Sequence, residues 1–582
     1  MHRTYLSTAL KSCLLIVLSL VFTSRIFAGT CPSGANYLNT TNPTGPLVTL
    51  SGLGITNCFF IAANGSDTNN GTSESTPWLH APGMSSCTGN CASNTPSGST
   101  GYIFRGGDTW HFGNSSLTPY TNGWSWNWSG SSQTSPIYIG VDPTWYSGGA
   151  WARPIINGDN PLNGCAGSGP CPVSSCPYAA IGGSYNQLIT FDGKAYNVFD
   201  DFEFTGMCWN QSTTAGNNYI AYYGPSQSSS TPYAFVAENL YVHGWTYTSG
   251  FGGAAAAVSG NASYCCGVTQ FSVFDGSDSD DLAMSFLGSN DSDAWIVRYN
   301  IFSHWGADTV SSDCHYINDN IFQYYNFGSG HGDNLFCEGT WAGGSSAPNL
   351  FYNNIFRYIG TEYNQSISYV LDLGTPSGQT DYVFNNIYHD SQPGSGGNGW
   401  IPAEGAKGSW VIFNNTASTE NSSAGCVICN TSSGPTAITA VNNHWITTGG
   451  ESSVFQYTAT VTESTPTYMT PTTATSQGYV SSNDFAPTLS TNTTVTAAGT
   501  NETSTYCTAA VLGLAAAATE CANGTSKAIS YNTTNHTVTY SGLTLVARPS
   551  TGSWNTGAYQ FGSGSTGSLP SAPANLTATV NP

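Results

Sequence analysis

Four phrases decide the fold of this chain: WIVRYNIFSHW (295–305), HYINDNIFQYYN (315–326), GDNLFCEG (332–339) and NLFYNNIFRYIG (349–360). They share the core (Asp/Asn/Tyr)-Asn-(Ile/Leu)-Phe, with the Asn at 300, 320, 334 and 354. The phrase returns as VFNNIYHD (Asn386), VIFNNTAS (Asn415) and AVNNHWITT (Asn443), and earlier as AENLYVHGW (Asn239) and TQFSVFDGS (Gln270). Short apolar strands set between Asn, Gly and Ser turns, repeated at uneven intervals, predict a solenoid. One such unit cannot bury its apolar face alone, but stacked on its neighbours it can.

Uneven spacing fits a coil of short strands, because turns lengthen without disturbing the strands they join. The step from Asn320 to Asn334 is too short for a full coil, which places these two on different sides of one coil. Ile, Phe, Val and Leu are expected to point inward. The recurrent Asn is expected to form an internal ladder at the turns, since its side chain bonds backbone groups and accepts left-handed geometry.

Composition narrows the class. Residues 1–28 carry Arg3 and Lys11, an apolar run from Cys13 to Phe22, and a small-residue cleavage point at Phe27-Ala28-Gly29, the pattern of a secretory signal peptide. The apolar run is too short to span a bilayer, so no membrane insertion is expected. Removing that segment takes Arg3, Lys11 and Arg25 and no acid, leaving 8 of 11 basic residues against 32 acidic, a net charge of −24. This excludes nucleic acid as a natural partner and suits an extracellular or cell-surface protein. Sixteen of the 17 cysteines remain, an even number that predicts disulfides, with Cys87/Cys91, Cys171/Cys176, Cys426/Cys429 and Cys507/Cys521 as local pairs. Adjacent Cys265 and Cys266 are expected to take different partners. Only 7% of residues are charged while 13% are aromatic, which is an all-β composition rather than a disordered one.

The chain divides into a leader at 29–57, a strand-and-turn region at 58–565, and a linker or truncated fibronectin-like start at 566–582. CTAAVLGLAAAATEC (507–521) is its one helical stretch, with a Cys at each end. It is expected to cover the open edge of the last coil. The segment CFFIAANGSDTNNGTSESTPWLHAP (58–82) runs from an apolar strand through Gly-Ser-Asp, Asn-Gly-Thr and Pro-Trp. Together with ARPSTGSWNTGAYQF (547–561), it resembles the opening and closing phrases of secreted right-handed parallel β-helix proteins of the pectate-lyase-like superfamily. The resemblance implies an all-β, right-handed parallel β-helix solenoid, here with a short C-terminal helix and disulfide-pinned loops.

Chemistry concentrates at 275–338, where about one ninth of the chain holds 11 of the 32 acids: Asp275, the run Asp278, Asp280 and Asp281, then Asp291, Asp293, Asp308, Asp313, Asp319, Asp333 and Glu338. Arg298, His304, His315 and His331 accompany them. Glycan hydrolysis needs an acid and a base from separate carboxylates facing one bond. Asp281, Asp308 and Asp333, at steps of 27 and 25, are the candidates, with His304 or His331 orienting water or a carboxyl group. The Gly-His-Gly at 330–332 resembles a phrase of pectin-degrading β-helix hydrolases, although their remaining phrases are not reproduced together. A lyase acting on an acidic polysaccharide would instead use Arg298 as base, and Asp278 and Asp280 to hold calcium. A third reading makes these acids turn residues of a noncatalytic glycan-binding or surface adhesion protein, with no cofactor or with structural calcium held by some of them. The alternating Trp124, Trp126 and Trp128 share one face if extended, and such rings either stack on sugars or fill a core.

Overall fold

A computed structural model describes residues 28–161, 174, 177–178, 188–191, 194–209, 221–223, 235–247, 255–260, 267–277, 284–288, 295–304, 310–311, 314–324, 333–337, 348–360, 369–391, 399–403, 407–420, 426–430, 434–456, 460–486, 495, 497–523, 529–540 and 547–560. The chain is a parallel β-helix. A 13-stranded sheet runs from Asn57–Ile61 to Thr460–Ser464 and a 12-stranded sheet from Thr109–His111 to Thr467–Met469. An eight-stranded sheet from Trp124–Ser125 to Tyr369–Leu373, and a three-stranded one after it, make the third side. Successive coils place successive strands side by side, all parallel. Among the described residues no helix is long and apolar enough to cross a membrane.

The repeated phrase turns the corner between the first and second sheets. Its first residue is left-handed, with φ between 55° and 57° at Tyr299, Asp319, Asn353, Asn385, Asn414 and Asn442. The following Asn is buried and builds the ladder. Asn354 Oδ1 accepts from the backbone N–H and the Nδ2 of Asn320, at 3.1 and 3.0 Å. Its own Nδ2 donates to Ile317 O at 2.8 Å and to Asn386 Oδ1 at 3.1 Å. The same bonds recur from Asn300 through Asn320, Asn354, Asn386 and Asn415 to Asn443. Asn239 and Gln270 do not belong to it: the ladder positions in their coils are Leu240 and Ser272, and Ser272 N–H donates to Asn300 Oδ1. Asn334 lies in the strand Asp333–Cys337 of the third side, apart from Asn320 as its short spacing required. We expect Asn354→Ala to destabilise the protein by about 2–4 kcal/mol, since it leaves several buried amide groups unpaired; urea denaturation measures this.

After the Asn, alternation takes over. Phe274, Phe302, Phe322 and Phe356 point inward and stack at 5.4, 4.8 and 5.0 Å. Their neighbours Ile301, Ile321, Ile355 and Ile387 do not point inward as composition suggested. They form a separate outer cluster with Leu38 and with Ile529 and Val538 of a C-terminal hairpin. Coil strands are therefore apolar on both faces, and the chain ends supply the outer cover. Tyr37, Leu50 and Ile55 of the leader cover Phe60, Ile103, Val198 and Val236, and Cys31 is bonded to Cys58. Further along, Leu512, Ala517, Cys521 and Trp554 cover Leu350, Tyr352, Phe384 and Phe413.

That packing corrects the place of the C-terminal helical stretch. It forms two short helices, Ala509–Leu512 and Ala515–Cys521, broken at left-handed Gly513, and lies on the side wall rather than over the last coil. The wall there is apolar and demands cover. The final strand Thr460–Ser464 is polar and alternates between exposed and half-buried, so it tolerates being an edge. At the other end Trp78 stacks on Phe59 at 4.6 Å. Gly71 is left-handed at φ 69°, and a Cβ there would lie 2.5 Å from the Trp78 ring, which explains the Gly in the opening phrase. Cys87–Cys91, Cys426–Cys429 and Cys507–Cys521 form as expected. Cys171, Cys176, Cys265 and Cys266 lie outside the described residues.

A buried acid pair fastens the second helix. Asn353 Nδ2 donates to Asp319 Oδ1 at 3.2 Å and to Glu520 Oε2 at 3.3 Å. Burial, then the neighbouring Asp319, pushes the Glu520 carboxyl up to about 8. The folded state thus keeps a proton that the unfolded state releases in the ordinary carboxylate range. This contribution to stability is full at low pH and is lost as pH rises toward about 8. Glu520→Gln should flatten the decline in stability between about pH 5 and about pH 8, read from urea midpoints at several pH values.

Candidate functional site

The second sheet's strands end in a column of polar residues held in register from coil to coil: Asp275, Ser303, Gln323, Arg357 and His389. The residue after each of the last four is left-handed: His304, Tyr324, Tyr358 and Asp390, with φ of 59°, 53°, 56° and 46°. This geometry turns the chain toward the third side and throws these side chains onto one wall. His304 stacks on Tyr324 at 4.8 Å and Tyr324 on Tyr358 at 5.2 Å, the spacing of stacked coils.

At one end of the ladder His304 Nδ1 lies 3.1 Å from Asp275 Oδ1 and 2.8 Å from Ser303 Oγ. The Tyr531 hydroxyl, from the hairpin of Ile529–Asn532 and Thr537–Tyr540, bonds to Asp275 Oδ2 and lies 2.8 Å from His536 Nδ1. Burial pushes the Asp275 carboxyl up, but the bonds from His304 and Tyr531 outweigh it and hold it below the usual range. Asp275 is thus an ionised carboxylate that receives the Nδ1 proton of His304. With that proton on Nδ1, the neutral imidazole carries its lone pair on Nε2. The His304 side chain is 22% exposed and Asp275 only 5%, so the imidazole faces outward while the carboxylate supports it from behind. This arrangement can accept and return a proton at the wall's surface.

The other end is closed. His389 bonds Asp390 Oδ2 at 2.8 Å and Asp484 Oδ1 at 2.9 Å, and Arg357 bonds Asp484 at 2.9 Å. Burial would lower the His389 pKa, yet the two carboxylates raise it. With His389 at 0% exposure, this cluster ties the segment around Asp484 to the coil. Trp124 and Trp126 also prove structural: they share a face, as their alternation implied, and that face is core.

Of the residues singled out from sequence, Asp278, Asp280, Asp281, Asp308 and His331 lie outside the described residues. In sequence they fall in the connections that lead from the second sheet to the third side, the same connections that Asp275, His304 and Tyr324 begin. Asp333 opens the third-side strand Asp333–Cys337, paired with Tyr369. Arg298 sits elsewhere. It ends a first-sheet strand, donates from Nε to Gln270 Oε1 at 2.8 Å and from its terminal nitrogen to Thr40 O at 3.1 Å, and binds the leader to the coil. Among the described residues no group of three or more His, Cys, Asp or Glu is arranged to hold a metal ion. Tyr531 and His536 carried no sequence signal, because 256 residues separate Tyr531 from Asp275.

No family model and no curated protein matches the chain. Among solved structures it is similar to the GH136 lacto-N-biosidase from Eubacterium ramulus, at 14% identity over 71% of this chain and 68% of that one, TM-score 0.43. It is similar to pectate lyase Pel9A at 15% identity over 88% and 99%, TM-score 0.38. A PL6 family polysaccharide lyase from Pseudopedobacter saltans is 11% identical over 65% and 90%, TM-score 0.37.

Proposed function

We propose that the chain is a secreted carbohydrate-active protein that takes a polysaccharide along the wall of His304, Tyr324 and Tyr358, with His304 as the proton-transfer group and Asp275 as its positioning residue. The observation that carries this reading is the combination of a carboxylate-held, outward-facing imidazole with a ladder of stacked rings in one line. Rings stacked face to face leave their edges and hydroxyl groups to a ligand, and a tyrosine hydroxyl both donates to and accepts from sugar hydroxyls. A straight wall of repeated coils suits a repeating polymer better than a small compact substrate. In this proposal Asp281, Asp308 and His331 from the same connections, and Asp333 at the start of the third-side strand, supply the remaining acid and base groups. Asp278 and Asp280 would hold a calcium ion if the polymer is a uronate.

Purified protein incubated with a panel of neutral and uronate polysaccharides, with and without a calcium chelator, tests the proposal. New reducing ends without unsaturation mean hydrolysis. An unsaturated product that a chelator abolishes means calcium-assisted elimination. Binding without product supports the noncatalytic glycan-binding alternative. Neither product nor binding across the panel ends the carbohydrate reading.

A further inference from the structure

A second site lies on the far side of the first sheet. There the leader does not close flush onto the coil. It leaves a cavity of about 520 Å³ between itself, the first-sheet strands and the loop before them. That volume is within the range of small-ligand pockets, roughly 300–1,000 Å³. Its floor is apolar, with Val198 and Val236. Its polar lining includes Asn39, Thr40 and Gln133, and Tyr196 adds a half-buried ring. No residue lining the cavity is charged, in a chain with 32 acids.

The site is built in advance. Cys31–Cys58 pins the leader. Thr40 O accepts from Gln270 Nε2 at 3.2 Å and from Arg298 at 3.1 Å. Asn39 Oδ1 accepts from Thr41 N and Asn42 N, both at 3.3 Å, fixing the turn.

We propose that this cavity is a noncatalytic binding site for a neutral saccharide unit. An apolar floor beside an aromatic ring matches the C–H face of a pyranose, and neutral hydroxyl and amide groups match its hydroxyls. The lack of any cation in the lining disfavours a uronate, whose carboxylate would be left without a counter-charge. The site is separate from the His304 wall and does not depend on the reaction assigned there.

Saturation-transfer NMR and calorimetric titration of the purified protein with xylotriose, cellotriose and maltotriose, against trigalacturonate as the charged probe, test it. At least one neutral trisaccharide should bind, and trigalacturonate should not compete for that site. Tyr196→Ala and Gln133→Ala should each weaken Kd by about ten-fold, a loss of about 1.4 kcal/mol, while His304→Ala leaves it unchanged. Gln133 is exposed on a loop, so its substitution keeps the test valid should Tyr196→Ala disturb the turn, and melting curves of both variants establish this. The proposal fails if no neutral trisaccharide binds, if neither substitution changes Kd, or if His304→Ala abolishes the binding.

Discussion

Asp275→Asn should lower kcat on the active polysaccharide by about 100-fold or more, with KM little changed. Asn is nearly the same size and keeps one oxygen, so the fold at this position should survive. What it loses is the charge that holds the Nδ1 proton of His304 and stabilises the imidazolium when Nε2 takes a proton. The amide can also present its N–H₂ to Nδ1, which would favour the wrong tautomer. His304→Ala should lose at least as much, because it removes the group itself. Tyr531→Phe separates orientation from chemistry. It removes a hydroxyl that bonds to Asp275 and leaves the imidazole and the carboxylate in place, so kcat should fall by a smaller factor. The bonds from His304 and Tyr531 keep Asp275 ionised below the usual carboxylate range, so protonation of this carboxyl should not set the acid limb of the wild-type pH profile. In Tyr531→Phe one of those bonds is gone and the Asp275 pKa rises. NMR titration of the Asp275 carboxyl in the wild type and in this variant measures that rise. An Asp275→Asn enzyme with full kcat would show that the proton-transfer group lies elsewhere in these connections.

Arg548→Ala is expected to be the most destabilising single substitution in the C-terminal segment, at about 3–5 kcal/mol. The Arg548 guanidinium is buried against Trp554, 5.1 Å from its ring centroid. Nε donates to Asn523 O at 3.1 Å and one terminal nitrogen to Asn555 O at 3.1 Å. The other donates to Asn385 Oδ1 at 3.1 Å, Gly557 O at 2.9 Å and Ala558 O at 3.3 Å. One side chain thus joins the end of the second helix, the Asn-bearing corner of a coil and the final strand phrase. Burial pulls its pKa down to about 9, still high enough to remain charged at neutral pH. Truncation removes the Arg548 donors from all of these buried acceptors. Arg548→Lys keeps the charge but not the planar fork, so it should recover only part of the loss. Urea midpoints measure the change in stability. Limited proteolysis should show the C-terminal segment cut first, since its grip on the wall depends on this residue.

The sequence signal of Arg548 is legible, but its reason is not. Arg-Pro followed by Gly-Ala-Tyr marks a closing phrase, but nothing local says that the Arg turns back to hold Asn385. The Asn ladder is the opposite case. Its members repeat a phrase, each bonds to its own copy one coil away, and the repetition therefore carries the contact itself. Asn239 and Gln270 fall one and two residues short of the ladder positions Leu240 and Ser272, because a loosened phrase no longer fixes its register to the single residue.

The sequence by itself determined the coil. A strand of alternating side chains, a left-handed turn residue and an Asn that bonds its own kind are all local, and their periodic return specifies stacking. It also determined that acids and histidines crowd one stretch. Only the tertiary structure decided which of them meet. Asp275 and His304 face each other because the strands that precede them pair in register, and Tyr531 reaches them because the chain end folds back over 250 residues to cover an apolar outer wall. Local chemistry sets how a strand turns, whereas the covering of exposed apolar surface sets where distant segments settle, and that is a property of the whole surface rather than of any stretch.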